Sequence, residues 1–182
     1  AGKGAMPPRG GGSDLTDMLD RAVAQAGEVD AFVMMIGVND RRSFFIDGRA
    51  RALFRAPKWI DLYSERVGRF MDHAVRHGVP VIWLLLPIMR ASDATADAEF
   101  INDIIVKVAA GRPLVRLLAT RPFTVDDKGA YAAYFKDLKG QVRLMRAGDG
   151  VHFTDPAHEV MADRVMRELR EASPRFQSIG GA

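Results

Sequence analysis

Asp149 and His152 stand three residues apart in Gly148-Asp149-Gly150-Val151-His152-Phe153-Thr154, a carboxylate and an imidazole on a stretch that opens a helix. Glycines on both sides of the Asp let the backbone turn sharply. A carboxylate so placed can fix the tautomer of an imidazole and support its cation, which makes a histidine a general base near neutral pH. Ordinary loop composition also produces such a pair, so its meaning depends on what else the chain offers. Asn39, in Gly37-Val38-Asn39-Asp40 directly after an apolar run, offers a side-chain amide donor. One such donor aimed at a developing oxyanion lowers a barrier by about 3–4 kcal/mol. The other use of Asn39 and Asp40 is an Asx turn closing a strand.

The elements that must position these residues follow from periodicity. Residues 1–12, with five glycines and two prolines, form a flexible leader with no regular element. Leu15, Met18, Leu19, Ala22 and Ala26 recur at helical spacing, with Ser13 or Asp14 as N-cap and Gly27 as the stop. The apolar run 31–36 predicts a strand buried on both faces. Residues 41–56, polar and carrying five arginines, predict a long loop. Pro57 opens a helix whose inner face is Tyr63, Val67, Phe70 and Ala74. The run 79–86 predicts a second buried strand, followed by a polar loop to about Thr95 and a helix facing inward through Ile101, Ile104, Ile105 and Val108. A third strand falls at 114–118. Residues 120–148 read as an irregular excursion with room for a small hairpin. The last helix starts with Asp155 as N-cap and Pro156 at its first position, with Ala157, Met161, Val165 and Leu169 inward. Strands alternating with helices predict an α/β fold, a parallel sheet with helices on both faces, in one domain over residues 13–182. In such a sheet ligands gather at the carboxyl ends of the strands, where Asn39 lies and to which the Asp149–His152 loop can return.

Composition narrows the function classes. With no cysteine among 182 residues, thiol nucleophiles, disulfides and thiolate metal sites are excluded. The 26 basic residues are interspersed with 23 acidic ones for a net charge of +3, a weak case for a nucleic-acid partner. No window reaches the ~18–20 apolar residues of a membrane span. No glycine-rich phosphate fingerprint follows a strand, so no nucleotide cofactor is implied. His73 and His77 are four apart on a helix, but the sequence shows no third ligand beside them, and they read as a solvated face. His158 reads as exposed, and Trp59 and Trp83 as core or pocket wall.

Gly37-Val-Asn-Asp40 followed about 110 residues later by Asp149-Gly-Val-His152 resembles the third and fifth motif blocks of the SGNH (GDSL-type) hydrolase superfamily. Asn39-Asp-Arg41, Pro57-Lys-Trp59, Tyr63, Trp83 with Leu86-Pro-Ile-Met-Arg90, and Asp149-Gly-Val-His-Phe-Thr154 are similar to its bacterial branch known as domain of unknown function 459. The resemblance covers about residues 13–172 and implies a three-layer α/β/α fold with a flavodoxin-like parallel sheet. It also implies Asp149 and His152 as two members of a catalytic triad, Asn39 in the oxyanion hole, no metal or organic cofactor, and a cell-envelope setting. The superfamily's nucleophile is a serine in a Gly-Asp-Ser block ending the first strand, and no such block is found here. Gly12-Ser13-Asp14 has the wrong order and no apolar strand before it. Ser13 therefore reads as a helix cap, and Gly12 or Gly11 as the glycine of the superfamily's second block, whose N–H joins the oxyanion hole. The expected function is a serine-dependent esterase or O-acyl transferase acting on a small-molecule or glycan ester, with the nucleophile and first strand upstream and this chain alone inactive. The alternative is a non-catalytic module that binds a glycan or a protein.

Overall fold

The computed structural model describes residues 15–46 and 50–177. Ser13 and Gly12 lie outside the described residues. The first helix, α1 (Leu15–Ala26), turns Leu15 and Leu19 into the core and is closed by Gly27, whose φ of 78° belongs to the left-handed region. Three short strands then make a parallel sheet: β1 (Phe32–Met34), β4 (Val81–Leu84) and β5 (Val115–Leu118), in the order β1-β4-β5. The registers Phe32↔Val81 and Val81↔Val115 keep the three in step, with all strands ending on one edge.

The central strand explains the apolar run from which it was expected. Val81 and Trp83 face a core built with α2 (Pro57–Val75) and α3 (Ser92–Ala109). Ile82 and Leu84 face the opposite core, built with Met161, Val165 and Leu169 of α4 (Asp155–Ala172). A strand covered on both sides has no polar face to display, so its sequence does not alternate. The molecule is thus an α/β fold with helices on both faces of a parallel sheet.

Four expectations need correction. The first strand is three residues long, and Val33 is 51% exposed, because β1 is an edge strand whose Val33 side α4 does not cover. The stretch 41–56 contains a small antiparallel pair, β2 (Phe44–Phe45) with β3 (Arg51–Ala52). Phe44 anchors it by stacking on Trp59 with ring centroids 5.2 Å apart, a contact that two-residue strands cannot announce by alternation. Helix α3 begins at Ser92, so Thr95 lies inside it and exchanges hydrogen bonds with the backbone of Met89. At α4 the N-cap is Thr154, with Asp155 and Pro156 in the first two positions; the Thr154 hydroxyl donates to Leu144 O at 2.7 Å instead of capping.

The excursion does hold a hairpin, β6 (Tyr134–Lys136) paired with β7 (Val142–Leu144), turned by Asp137 accepting from the N–H groups of Lys139 and Gln141. It delivers the chain to the loop 145–153. Among the described residues no helix is long and apolar enough to cross a membrane.

Candidate functional site

Two loops at the carboxyl edge of the sheet carry the residues singled out by the sequence. The first leaves β1 through Gly37, whose φ is 130°. A Cβ there would sit 3.0 Å from Ile101 and 3.1 Å from Leu86, so only glycine allows both the turn and the packing. Residues Val38–Asp40 then make one 3₁₀ turn. Asp40 is buried and accepts from the Tyr63 hydroxyl at 3.0 Å, while Trp59 Nε1 donates to Arg42 O at 2.8 Å. Burial, followed by the Asp40 charge, pushes the Tyr63 pKa well above its ordinary value, which keeps it a donor. Helix α2 thus clamps the turn at its carboxyl end and leaves Asn39 exposed at its crest, with no hydrogen-bond partner for its amide among the described residues. Asp40 is a structural residue here, and its neighbour Asn39 is the one presented.

The second loop is tied by backbone first. Ala147 N–H donates to His152 O at 2.8 Å, Gly150 N–H to Ala147 O at 2.9 Å, and Arg90 N–H to Gly150 O at 3.2 Å. Gly150 has φ of 74°, and a Cβ on it would lie 2.5 Å from Arg90 Cβ. Within this turn Asp149 Oδ1 accepts from the N–H groups of Val151 and His152, at 2.8 and 3.0 Å. Its Oδ2 lies 2.6 Å from His152 Nδ1. That side-chain bond, with the two backbone donors, holds the Asp149 carboxyl well below the usual carboxylate range. The carboxylate is therefore ionised at any ordinary pH and orients the imidazole with Nδ1 toward it. Nε2 is left without a partner among the described residues, on a side chain 75% exposed.

The residue that anchors this loop carries no signal in the sequence. Arg146 is 1% exposed, donating to Ile88 O at 3.0 Å, Gly150 O at 3.2 Å and Val151 O at 3.0 Å. Its guanidinium lies 4.4 Å from the Phe153 ring and 5.1 Å from that of Tyr131, an aromatic clasp suited to a cation stripped of water. Burial pulls its pKa down, although it remains a cation. Arg90 adds a bond from Nη1 to Gly148 O at 2.8 Å. Nothing separates Arg146 from the chain's other nineteen arginines except where the fold puts it, whereas Arg90 ends the Leu86-Pro-Ile-Met-Arg90 stretch of the family resemblance.

Asn39 and His152 both line a cleft of about 460 Å³, floored by Gly37, Leu84 and Val165 and bordered by the exposed Val33. The fold brings together three of the four residues expected to form a site: Asp149, His152 and Asn39. His158 also borders the cleft, 60% exposed, while Trp59 and Trp83 are fully buried in the core. No serine, threonine or cysteine is among the described residues that line it.

The family model described as "Protein of unknown function (DUF459)" matches residues 11–168. The chain belongs to that family. No curated protein matches it significantly. The match takes in both loops of the cleft, so the Asn39 turn and the Asp149–His152 turn lie inside the stretch that makes this chain a DUF459 member.

Proposed function

We propose that this DUF459 protein is an acyl hydrolase or transferase of the SGNH type, acting on ester bonds of a small molecule or glycan. The observation that carries the reading is the Asp149–His152 pair at 2.6 Å, its Nε2 on the same cleft as the Asn39 amide, both without a partner among the described residues. A base oriented by a carboxylate and a donor for an oxyanion are two of the three parts that acyl transfer needs. The third is a nucleophile. The described wall offers no hydroxyl, and we assign that part to a serine on a segment entering the cleft beside β1, from outside the described residues. In the reaction the serine Oγ attacks the acyl carbon as His152 Nε2 takes its proton. Asn39 donates to the oxyanion, joined by the N–H of Gly12, and the protonated imidazole returns the proton to the departing alkoxide. Water or a sugar hydroxyl then attacks the acyl-enzyme by the same route. The protein's own residues supply every step, so no cofactor is assigned.

A fluorophosphonate probe on the intact natural protein tests this, with mass spectrometry to locate the adduct. One labelled serine, lost or slowed at least about 10³-fold in His152→Ala, is the expected result. The absence of hydroxyls from the described cleft favours one other reading, a binding module on the same framework. No labelling together with saturable glycan binding that Asn39→Ala weakens would establish that reading and overturn the first.

A further inference from the structure

At the far end of α2 from the Asn39 turn, the fold assembles a second chemical cluster. His73 lies in the last turn of α2, and His77 one turn further on, where its N–H donates to Ala74 O at 3.2 Å. Their rings are 6.2 Å apart between centroids. The third member comes from α1, whose packing on α2 through Leu15 and Leu19 sets Asp20 Oδ1 2.6 Å from His73 Nε2. One ligand atom from each of Asp20, His73 and His77 lies within 4.8 Å of the others. Two imidazoles four apart read as a solvated pair in the sequence, because the missing carboxylate is 53 positions before His73 and only the helix packing brings it in.

We propose that Asp20, His73 and His77 form a binding site for one borderline divalent transition-metal ion, for which Zn²⁺ is the natural probe. The donor set decides the class: two neutral imidazole nitrogens and one carboxylate suit zinc and its neighbours, whereas Mg²⁺ and Ca²⁺ call for oxygen alone. The spacing agrees. Ligand atoms on a tetrahedral ion with bonds of about 2.0–2.1 Å are about 3.3–3.4 Å apart. The His73–Asp20 pair therefore opens by under about 1 Å and the wider pairs close by at most about 1.5 Å, movements that side-chain torsions supply without moving either helix. His77 is steadied from behind by the ring of Phe32, edge-on at 5.5 Å. Both histidines sit at the carboxyl end of α2, where the helix dipole favours a cation.

The exposure sets the character of the site. The His73 side chain is 22% exposed and that of Asp20 54%, so an ion held by these three ligands keeps its remaining position open to water. It would fasten α1 onto α2, a link now made by the apolar contacts of α1 and the His73–Asp20 bond. Binding to the native state alone raises its stability by mass action.

Isothermal titration of the chelator-stripped, full natural protein with ZnCl₂ tests the proposal, alongside thermal unfolding with and without zinc. The expected result is one ion per chain, a rise in Tm of at least a few degrees at about 100-fold excess over Kd, and affinity at least about tenfold weaker in His77→Gln and in Asp20→Asn. His77→Gln is the decisive variant, since the His77 side chain makes ring contacts but no hydrogen bond among the described residues; its metal-free Tm should match the parent's. Imidazole NMR signals of His73 and His77 should shift together on titration. No saturable binding by the parent protein overturns the proposal. So does zinc binding that persists undiminished in His77→Gln and Asp20→Asn, which would place the ion at His152 and His158 instead.

Discussion

At the scale of single residues, Asp149 does two jobs with one carboxylate, holding its own loop through Oδ1 and the imidazole through Oδ2. A folded-state pKa below that of the unfolded chain means its contribution is complete above about pH 3.9 and is lost as pH falls through the depressed value. An NMR titration of the Asp149 carboxyl carbon should therefore show a midpoint clearly below 3.9; one at or above it would mean that the bond to His152 does not persist in solution. Gly150 gives a steric counterpart. Alanine there takes on a positive φ and a Cβ 2.5 Å from Arg90 Cβ, so Gly150→Ala should destabilise by about 1–3 kcal/mol, read by thermal unfolding. A change within about 0.5 kcal/mol would show the loop to be more pliant than its hydrogen bonds suggest. That Asp149, His152 and Asn39 meet at one edge of the sheet was legible in the sequence, because their types and motif context carry that signal. Arg146 was not, since its role comes from three carbonyls and two rings that only tertiary structure gathers.

At the scale of elements, legibility follows how far a signal extends along the chain. The inner faces of α2, α3 and α4 and the run of β4 were readable because each repeats over many residues or is wholly apolar. The β2–β3 pair and the exposure of Val33 were not, because two residues make no period and an edge position is a property of the sheet, not of the strand. The loop 145–153 has no period at all, and beside its backbone turns Arg146 bonds Gly150 O and Val151 O within it and Ile88 O across from it. Arg146→Met keeps the apolar stem but removes the donor from Ile88 O, Gly150 O and Val151 O, and should destabilise by about 3 kcal/mol or more. Arg146→Lys, able to reach fewer of those oxygens, should fall between. Urea unfolding gives both numbers, and hydrogen exchange at His152 N–H should quicken in step. Equal stability of Arg146→Met and the parent would show that the loop is held by its own turns.

At the scale of the whole molecule, the sheet, the cleft and the account of function meet at β1. Its outer edge pairs with nothing among the described residues, and Val33 stands exposed beside the cleft where we place the nucleophile-bearing segment. An unpaired edge invites another chain, so the 182-residue protein should self-associate, and Val33→Lys should reduce that association as seen by light scattering. No difference between the two would mean that the edge is already covered. The central claim is that the Asp149–His152 pair is the base of an acyl-transfer reaction. Its most direct test is p-nitrophenyl acetate hydrolysis by the protein against His152→Ala, with Ser13→Ala measured alongside. The account predicts a fall in kcat of about 10³-fold or more on loss of His152, and no comparable fall on loss of Ser13. Full activity in His152→Ala would contradict it, and turnover that vanishes in Ser13→Ala would show that Ser13, read as a helix cap, is the nucleophile.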